Sequence, residues 1–272
     1  MKVFSHSLQG KRDSNEDQHI HILNINGENN ELNNINFFGV FDGHGGKVVS
    51  KYLKDRMSQY FVTKFKRNLY LNDEYITKYF IKVYDLLQSN LNIEHPRAIV
   101  HCGSTACIGI QYKDLDNQNK IWILNVGDSR AIKCNKDNIA EQLSLDHKPN
   151  SPEEKKRIEQ LGGEIEYDGS DWRIKGLSLS RAFGDLDCLP YVTYLPQIYK
   201  YNINLDDKFM IFACDGLWDV LSNQDAIDFI NDLLINKKFK GNYSKEYYAK
   251  ELAEHAINKG SLDNITVIIY FI

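Results

Sequence analysis

The stretch NFFGVFDGHGGKVVSKYL, from Asn36 to Leu53, changes character twice. Residues 37–41 are apolar on both parities, the pattern of a strand whose two faces are both covered. Asp42 stops that run, and Gly43-His44-Gly45-Gly46 make a tight exit of the kind glycine permits. From Lys47 the pattern turns helical: KVVSKYLKDRMSQYFVTKF sets Val49, Tyr52, Leu53, Met57, Tyr60 and Phe61 on one face. A buried strand passing through a turn into a covering helix predicts sheets inside and helices outside. It leaves open whether Asp42 and His44 form a turn or a site.

The rest of the chain repeats this grammar. β-like runs recur at 104–112, 120–126, 129–134, 208–214 and 264–271, most of them rich in Val, Ile, Phe and Tyr. QYKDLDNQNKIW and NVGDSRAI both read as hairpin links, which favours antiparallel pairing, and the Asn-rich piece 24–36 reads as a hairpin loop. DEYITKYFIKVYDLLQSNL aligns Ile76, Tyr79, Phe80, Val83 and Leu87 as a second amphipathic helix. Further helices are predicted at 152–161, 223–235 and 244–258, the first capped by Ser151 with Pro152 at its first position. Residues 149–196 are the least regular and read as a small excursion on one edge, with Trp172 as its buried anchor. No linker or repeat interrupts the 272 residues, so one mixed α+β domain over 1–272 is expected.

Composition narrows the function. The net charge of -4 disfavours nucleic acid as a partner, and the basic runs at 64–67 and 237–240 read as solvated element ends. Five cysteines without a CxxC pair point to free, buried thiols in a reducing compartment. No apolar run reaches a membrane span, no signal peptide opens the chain, and Lys2 stands where myristoylation needs glycine. A monomer in the cytosol or nucleus, with no membrane partner, is the expectation.

Acids stand where strands stop or start. Asp42 follows FFGVF, Asp128 follows IWILNVG, and Asp215 follows FMIFAC with Asp219 four residues on. Asp263 precedes NITVIIYF, while Glu16 and Asp17 precede an alternating strand whose His19 and His21 read as one exposed face. Any one such acid is commonly a turn former or cap. Brought to one rim, several would repel strongly unless protons or cations neutralise them. All-oxygen ligands select hard ions such as Mg²⁺ or Mn²⁺, and no His/Cys spacing suits zinc. Gly43 and Gly216, each after an aspartate, let the backbone approach an ion. Two metals about 3.5–4 Å apart would lower a water's pKa from about 15.7 towards 7, enough for phosphoester hydrolysis at neutral pH.

The ordered set GKRDSNEDQ, FGVFDGHGG, GSTACI, NVGDSRAI, LSLDHKP, LSLSRAFGD, FACDGLWDVLSN and SLDNITVIIY covers nearly the whole chain. It resembles the metal-dependent serine/threonine protein phosphatases of the 2C type. That resemblance implies an antiparallel β-sandwich flanked by helices on both faces, four layers deep, with a metal pair at one end and phosphorylated proteins as substrates. It implies Asp42 as bridging ligand, Asp215 and Asp263 completing one metal, and Glu16 with the Gly43 carbonyl serving the other. Asp17 would stand close behind, through water. Asp128 and Asp219, with Asp215, match positions that hold a weaker third ion. Arg12 matches the phosphate-binding arginine and His44 the general acid. Residues 149–196 resemble the family's flap, but Val192-Thr193-Tyr194-Leu195-Pro196-Gln197 lacks two acids of the usual motif, which bears on substrate contacts rather than on metal.

The rival readings are weaker. A catalytically inactive binding module would be expected to lose a ligand, yet every such position is intact. No cysteine is followed by arginine at C-x₅-R spacing, and no P-loop or G-x-S-x-G elbow is present; Ser104 reads as the start of a core strand.

Overall fold

The computed structural model describes residues 2–27, 34–62, 72–114, 116–236 and 247–272. The basic runs at 64–67 and 237–240, the middle of the Asn-rich loop and the expected start of the last helix at 244–246 lie outside them.

Apolar residues on both parities bury both faces of each central strand. In β3 (Asn36–Phe41), Phe38 and Val40 point into the space between two sheets, while Phe37 and Phe41 point out towards helices. β3 belongs to an antiparallel sheet ordered β13-β7-β6-β3-β2, with β2 (Gln18–Ile22), β6 (Ala106–Lys113), β7 (Asn119–Val126) and β13 (Gln197–Ile203). The second sheet is ordered β1-β15-β14-β8-β9, with β1 (Lys2–Leu8), β8 (Arg130–Cys134), β9 (Ala140–Gln142), β14 (Phe209–Ala213) and β15 (Ile265–Phe271). Phe38 joins them, stacking on Phe212 of β14 at 5.5 Å and meeting Tyr270 of β15 at 4.7 Å.

Helices close the outer faces. α1 (Val48–Val62) and α2 (Asp73–Glu94) seat Leu53, Met57, Phe80 and Leu87 on the first sheet. α5 (Asn223–Asn236) and α6 (Tyr247–Asn258) seat Ile227, Ile230, Leu252 and Ala256 on the second. α2 starts where Asn72 accepts a hydrogen bond from the Tyr75 amide at 3.0 Å, a side-chain cap. The result is the four-layer α-β-β-α sandwich.

Several expectations change. β1 and β13 are missing from the predicted strands because both are sheet edges, where Ser, His, Lys and Asn interrupt the apolar run. The expected strand at 104–112 breaks at Thr105, leaving the short β5 (Gly103–Ser104). NVGDSRAI is no hairpin: β7 pairs with β6 and β13, β8 with β14 and β9, so the chain crosses between sheets there. Buried bonds hold that crossing, Thr105 Oγ1 to Ser129 Oγ at 2.7 Å and the His147 amide donating to the Gly127 carbonyl at 3.0 Å.

The excursion carries α3 (Pro152–Gln160), a hairpin of β10 (Glu166–Tyr167) and β11 (Trp172–Arg173), and a small core of Ile158, Ile174, Leu179, Ala182, Cys188 and Val192. Trp172 is not part of that core. It is 37% exposed and packs on Tyr167 at 5.5 Å, because a two-stranded hairpin has no layer over it. β12 (Phe183–Gly184) then returns beside β5, which pairs with β4 (Gly43–His44) in a three-stranded ribbon ordered β12-β5-β4.

Candidate active site

Strand ends bring the acids to one rim. Asp42 leaves β3, Asp128 sits in the crossing from β7 to β8, Asp215 opens the short α4 (Asp215–Trp218) after β14, and Asp263 precedes β15. Together with Arg12, Glu16, Gly43, His44 and Asp219 they line a cleft of about 790 Å³, bordered on the excursion's side by Ser170, Asp171 and Arg173. Of the expected site residues only Asp17 does not line it. Asp17 lies beneath, 3% exposed, with an oxygen in one close group with Asp42 and Cys214.

The electrostatics of this floor are unbalanced. Burial, then the charges of Asp215, Asp17 and Asp128, hold the Asp42 carboxyl well above the usual range. Burial, then Asp128 and Asp219, does the same to Asp215, and burial pushes Asp17 up to about 6. Among the described residues, both Asp17 oxygens and Asp128 Oδ1 are buried without a hydrogen-bond partner. Asp42, Asp128 and Asp215 each offer an oxygen, all within 4.8 Å of one another. A hard divalent cation fits this donor set. Cys214 is a poor ligand, since burial and the neighbouring acids keep its thiol protonated.

Residues 1–265 match the Protein phosphatase 2C family. The chain belongs to that family. A PP2C-like domain-containing protein of Acanthamoeba polyphaga mimivirus is 42% identical over 171 residues, 57% of this chain and 95% of that protein. Probable protein phosphatase 2C 11 of Arabidopsis thaliana is 37% identical over 268 residues; the match takes in 97% of this chain and 64% of that relative's length. The solved serine-threonine phosphatase 2C from Toxoplasma gondii shares the fold, with a TM-score of 0.81 at 24% identity, covering 99% of this chain and 94% of that one.

In this phosphatase 2C chain, hydrogen bonds from distant segments hold Asp42, Glu16 and Asp263. The Asp42 amide donates to Thr105 Oγ1 at 3.0 Å, and the Thr105 amide donates to the Asp42 carbonyl at 2.8 Å. Gly45 has φ +66°, and a Cβ there would stand 2.1 Å from the His101 carbonyl oxygen, so only glycine completes the turn. Glu16 Oε2 accepts from the Gly46 amide at 2.9 Å. Asn264 holds the Arg12–Glu16 loop, its Nδ2 donating to the Gln9 and Ser14 carbonyls at 2.8 Å each and its Oδ1 accepting from the Glu16 amide at 2.9 Å. Arg12, largely exposed, donates one N–H to Asp263 at 2.5 Å.

Four residues here went unread in the sequence. Thr105 and Asn264 are the clamps just described. Lys148 donates to Asp128 Oδ2 at 2.6 Å and feels Asp215 and Asp219, an internal cation among the acids. Asp185 stands 2.7 Å from His44 Nε2. Burial opposes the charged imidazole, but the hydrogen bond and charge of Asp185, with Asp128 and Glu16, outweigh it and raise the His44 pKa. The motifs DHKP and RAFGD contain Lys148 and Asp185, but neither sits at a strand end, the signal used for the acids. His19 and His21 do not line the cleft; both are half-buried rather than exposed, and burial lowers His19 to about 4. In the departure at 192–197, Gln197 Oε1 meets His147 Nε2 at 3.0 Å, and Arg181 donates to the Leu195 carbonyl at 3.1 Å.

Proposed function

We propose that this chain is the catalytic domain, over 1–272, of a protein phosphatase that removes phosphate from phosphoserine and phosphothreonine with Mg²⁺ or Mn²⁺. The observation that carries this reading is the cluster of buried and half-buried, under-neutralised carboxylates facing a cleft that also holds Arg12 and His44. Asp42 would be shared between two ions, Asp215 and Asp263 holding one, Glu16 and the Gly43 carbonyl the other, with Asp17 behind. Asp128 and Asp219, with Asp215, would hold a weaker third. Bound there, a divalent pair supplies a nucleophilic water at neutral pH and offsets the charge of the phosphate.

The remaining work belongs to side chains. Arg12 offers a planar fork of N–H donors to phosphate oxygens and fixes the group for in-line attack. The water oxygen bonds to phosphorus as the bond from phosphorus to the seryl or threonyl oxygen breaks. The leaving oxygen keeps that electron pair and takes a proton from His44. The water's proton passes to solvent, from which His44 is recharged. The products are the free hydroxyl and inorganic phosphate.

Hydrolysis of p-nitrophenyl phosphate and of phosphoserine or phosphothreonine peptides is expected with Mn²⁺ or Mg²⁺; activity that survives excess EDTA would overturn the reading. His44→Ala is expected to cost about 10²–10⁴-fold on alkyl phosphates. On p-nitrophenyl phosphate, whose leaving group needs no proton, the loss should be much smaller.

A further inference from the structure

Asp185 meets the catalytic turn through its side chain and the returning excursion through its backbone. Its carboxylate is 3% exposed, and Oδ2 lies 2.7 Å from His44 Nε2. The residue is left-handed, with φ 47° and ψ 49°, a conformation Asp adopts more readily than most L-residues and one kept only where the surroundings impose it. Its amide donates to the Cys102 carbonyl at 3.2 Å, and its carbonyl accepts from the Cys188 amide at 2.9 Å. Immediately before it, β12 is fastened on both sides. Gly184 N–H donates to Gln88 Oε1 of α2 at 3.1 Å, and Phe183 packs on Tyr84 at 5.2 Å.

The ribbon explains why this acid reaches this histidine. Gly103 of β5 pairs with Gly184 on one side and with His44 on the other. A Cβ on Gly103 would stand 2.0 Å from Asp185 Oδ2 and 2.5 Å from His44 Nε2. The middle strand therefore carries no side chain where the two outer residues join, and the pair closes over it.

We propose that Asp185 is the positioning residue of His44. It accepts the Nε2–H of the charged ring, fixes the ring's orientation over Gly103, and leaves the Nδ1 proton as the one given to the departing seryl or threonyl oxygen. Because β12 and Asp185 lie within the excursion, the aim of the proton donor depends on that segment being seated. This rests on the reading of His44 as proton donor.

Steady-state kinetics at saturating Mn²⁺ on a phosphoserine peptide and on p-nitrophenyl phosphate test it. Asp185→Asn keeps the shape and removes the charge, and kcat on the peptide is expected to fall at least about 10-fold, with less than about 3-fold change on p-nitrophenyl phosphate and with KM unchanged. In a His44→Ala background the same change should have no further effect. Equal losses on both substrates, or full additivity with His44→Ala, would overturn the proposal. His44→Ala losing both substrates equally would overturn the donor reading and the proposal with it, whereas a selective loss in His44→Ala without one in Asp185→Asn would overturn the proposal alone. One measurement needs no folded Asp185 variant: in the unsubstituted protein, the imidazole N–H resonance that disappears in His44→Ala should be shielded from solvent exchange by the buried carboxylate. Rapid exchange of that proton would count decisively against the assignment.

Discussion

Two buried acidic centres in this molecule are built in opposite ways. At the base of the excursion, Glu154 accepts from Arg181 at 2.5 and 3.0 Å, from Arg157 at 2.8 Å, and from Ser180 Oγ at 2.8 Å. Burial alone would raise its carboxyl; the hydrogen bonds and charges of Arg181 and Arg157 outweigh burial and hold it at about 2. On the cleft floor, Asp42, Asp215 and Asp17 are raised instead, and Lys148 is the nearby cation tied to them through Asp128. One centre answers its own charge and fastens two segments together. The other is left short of positive charge, and a ligand can supply it. Burial of an acid therefore does not mark a site; burial without neutralising partners does.

That contrast can be broken at either end. The largest effect is expected from Asp42→Ala, which should cost on the order of 10³-fold or more in kcat/KM and abolish divalent-metal binding measured by calorimetry. Unchanged metal affinity would erase the distinction. Glu154→Gln should instead spare the metal site and destabilise folding by about 3–5 kcal/mol, as breaking a buried pair does, read by denaturant unfolding. The sign with pH follows from the lowered carboxyl: the contribution of Glu154 is present above about 4.5, its ordinary value, and is lost as pH falls towards about 2. Hydrogen exchange across 152–182 should rise over that window before the sheets open.

A smaller effect should come from the cation itself. Mn²⁺ at 100 times its dissociation constant should stabilise the fold by about 2.7 kcal/mol, and Asp42→Ala should remove that gain while Glu154→Gln keeps it. The smallest effect runs against intuition. In EDTA, Asp42→Asn should raise the melting temperature, by the equivalent of about 1 kcal/mol, because it relieves repulsion that no partner answers. A fall would mean the acids are neutralised within the protein after all.

Much of the layered fold was legible in Phe37 to Phe41. Alternate residues of one short run face helices and the opposite sheet, and such two-sided burial leaves its mark on local composition. The rim acids were legible for a similar reason, since all but Asp219 interrupt or border a strand. The edge strands β1 and β13 were not, because polar residues interrupt their apolar runs. NVGDSRAI misled because a short turn between two strands looks the same whether the strands pair or part. Trp172 misled because its size suggested a core, while among the described residues no layer covers its hairpin.

By itself the sequence determined where most central strands stop, which helices cover them, and which acids stand at those stops, since these depend on neighbours a few positions away. Only the tertiary structure decided which buried acids are answered and which are not. Glu154 and Asp42 look alike as residues; they differ because Arg181 folds back onto one, while Asp215 arrives from another strand to crowd the other. It likewise brought Asp185 to His44 across 141 positions, over a glycine that leaves room for both. Charge balance in the interior is completed by long-range pairing: Arg157 lies one helical turn from Glu154, but Arg181 reaches it only through the fold.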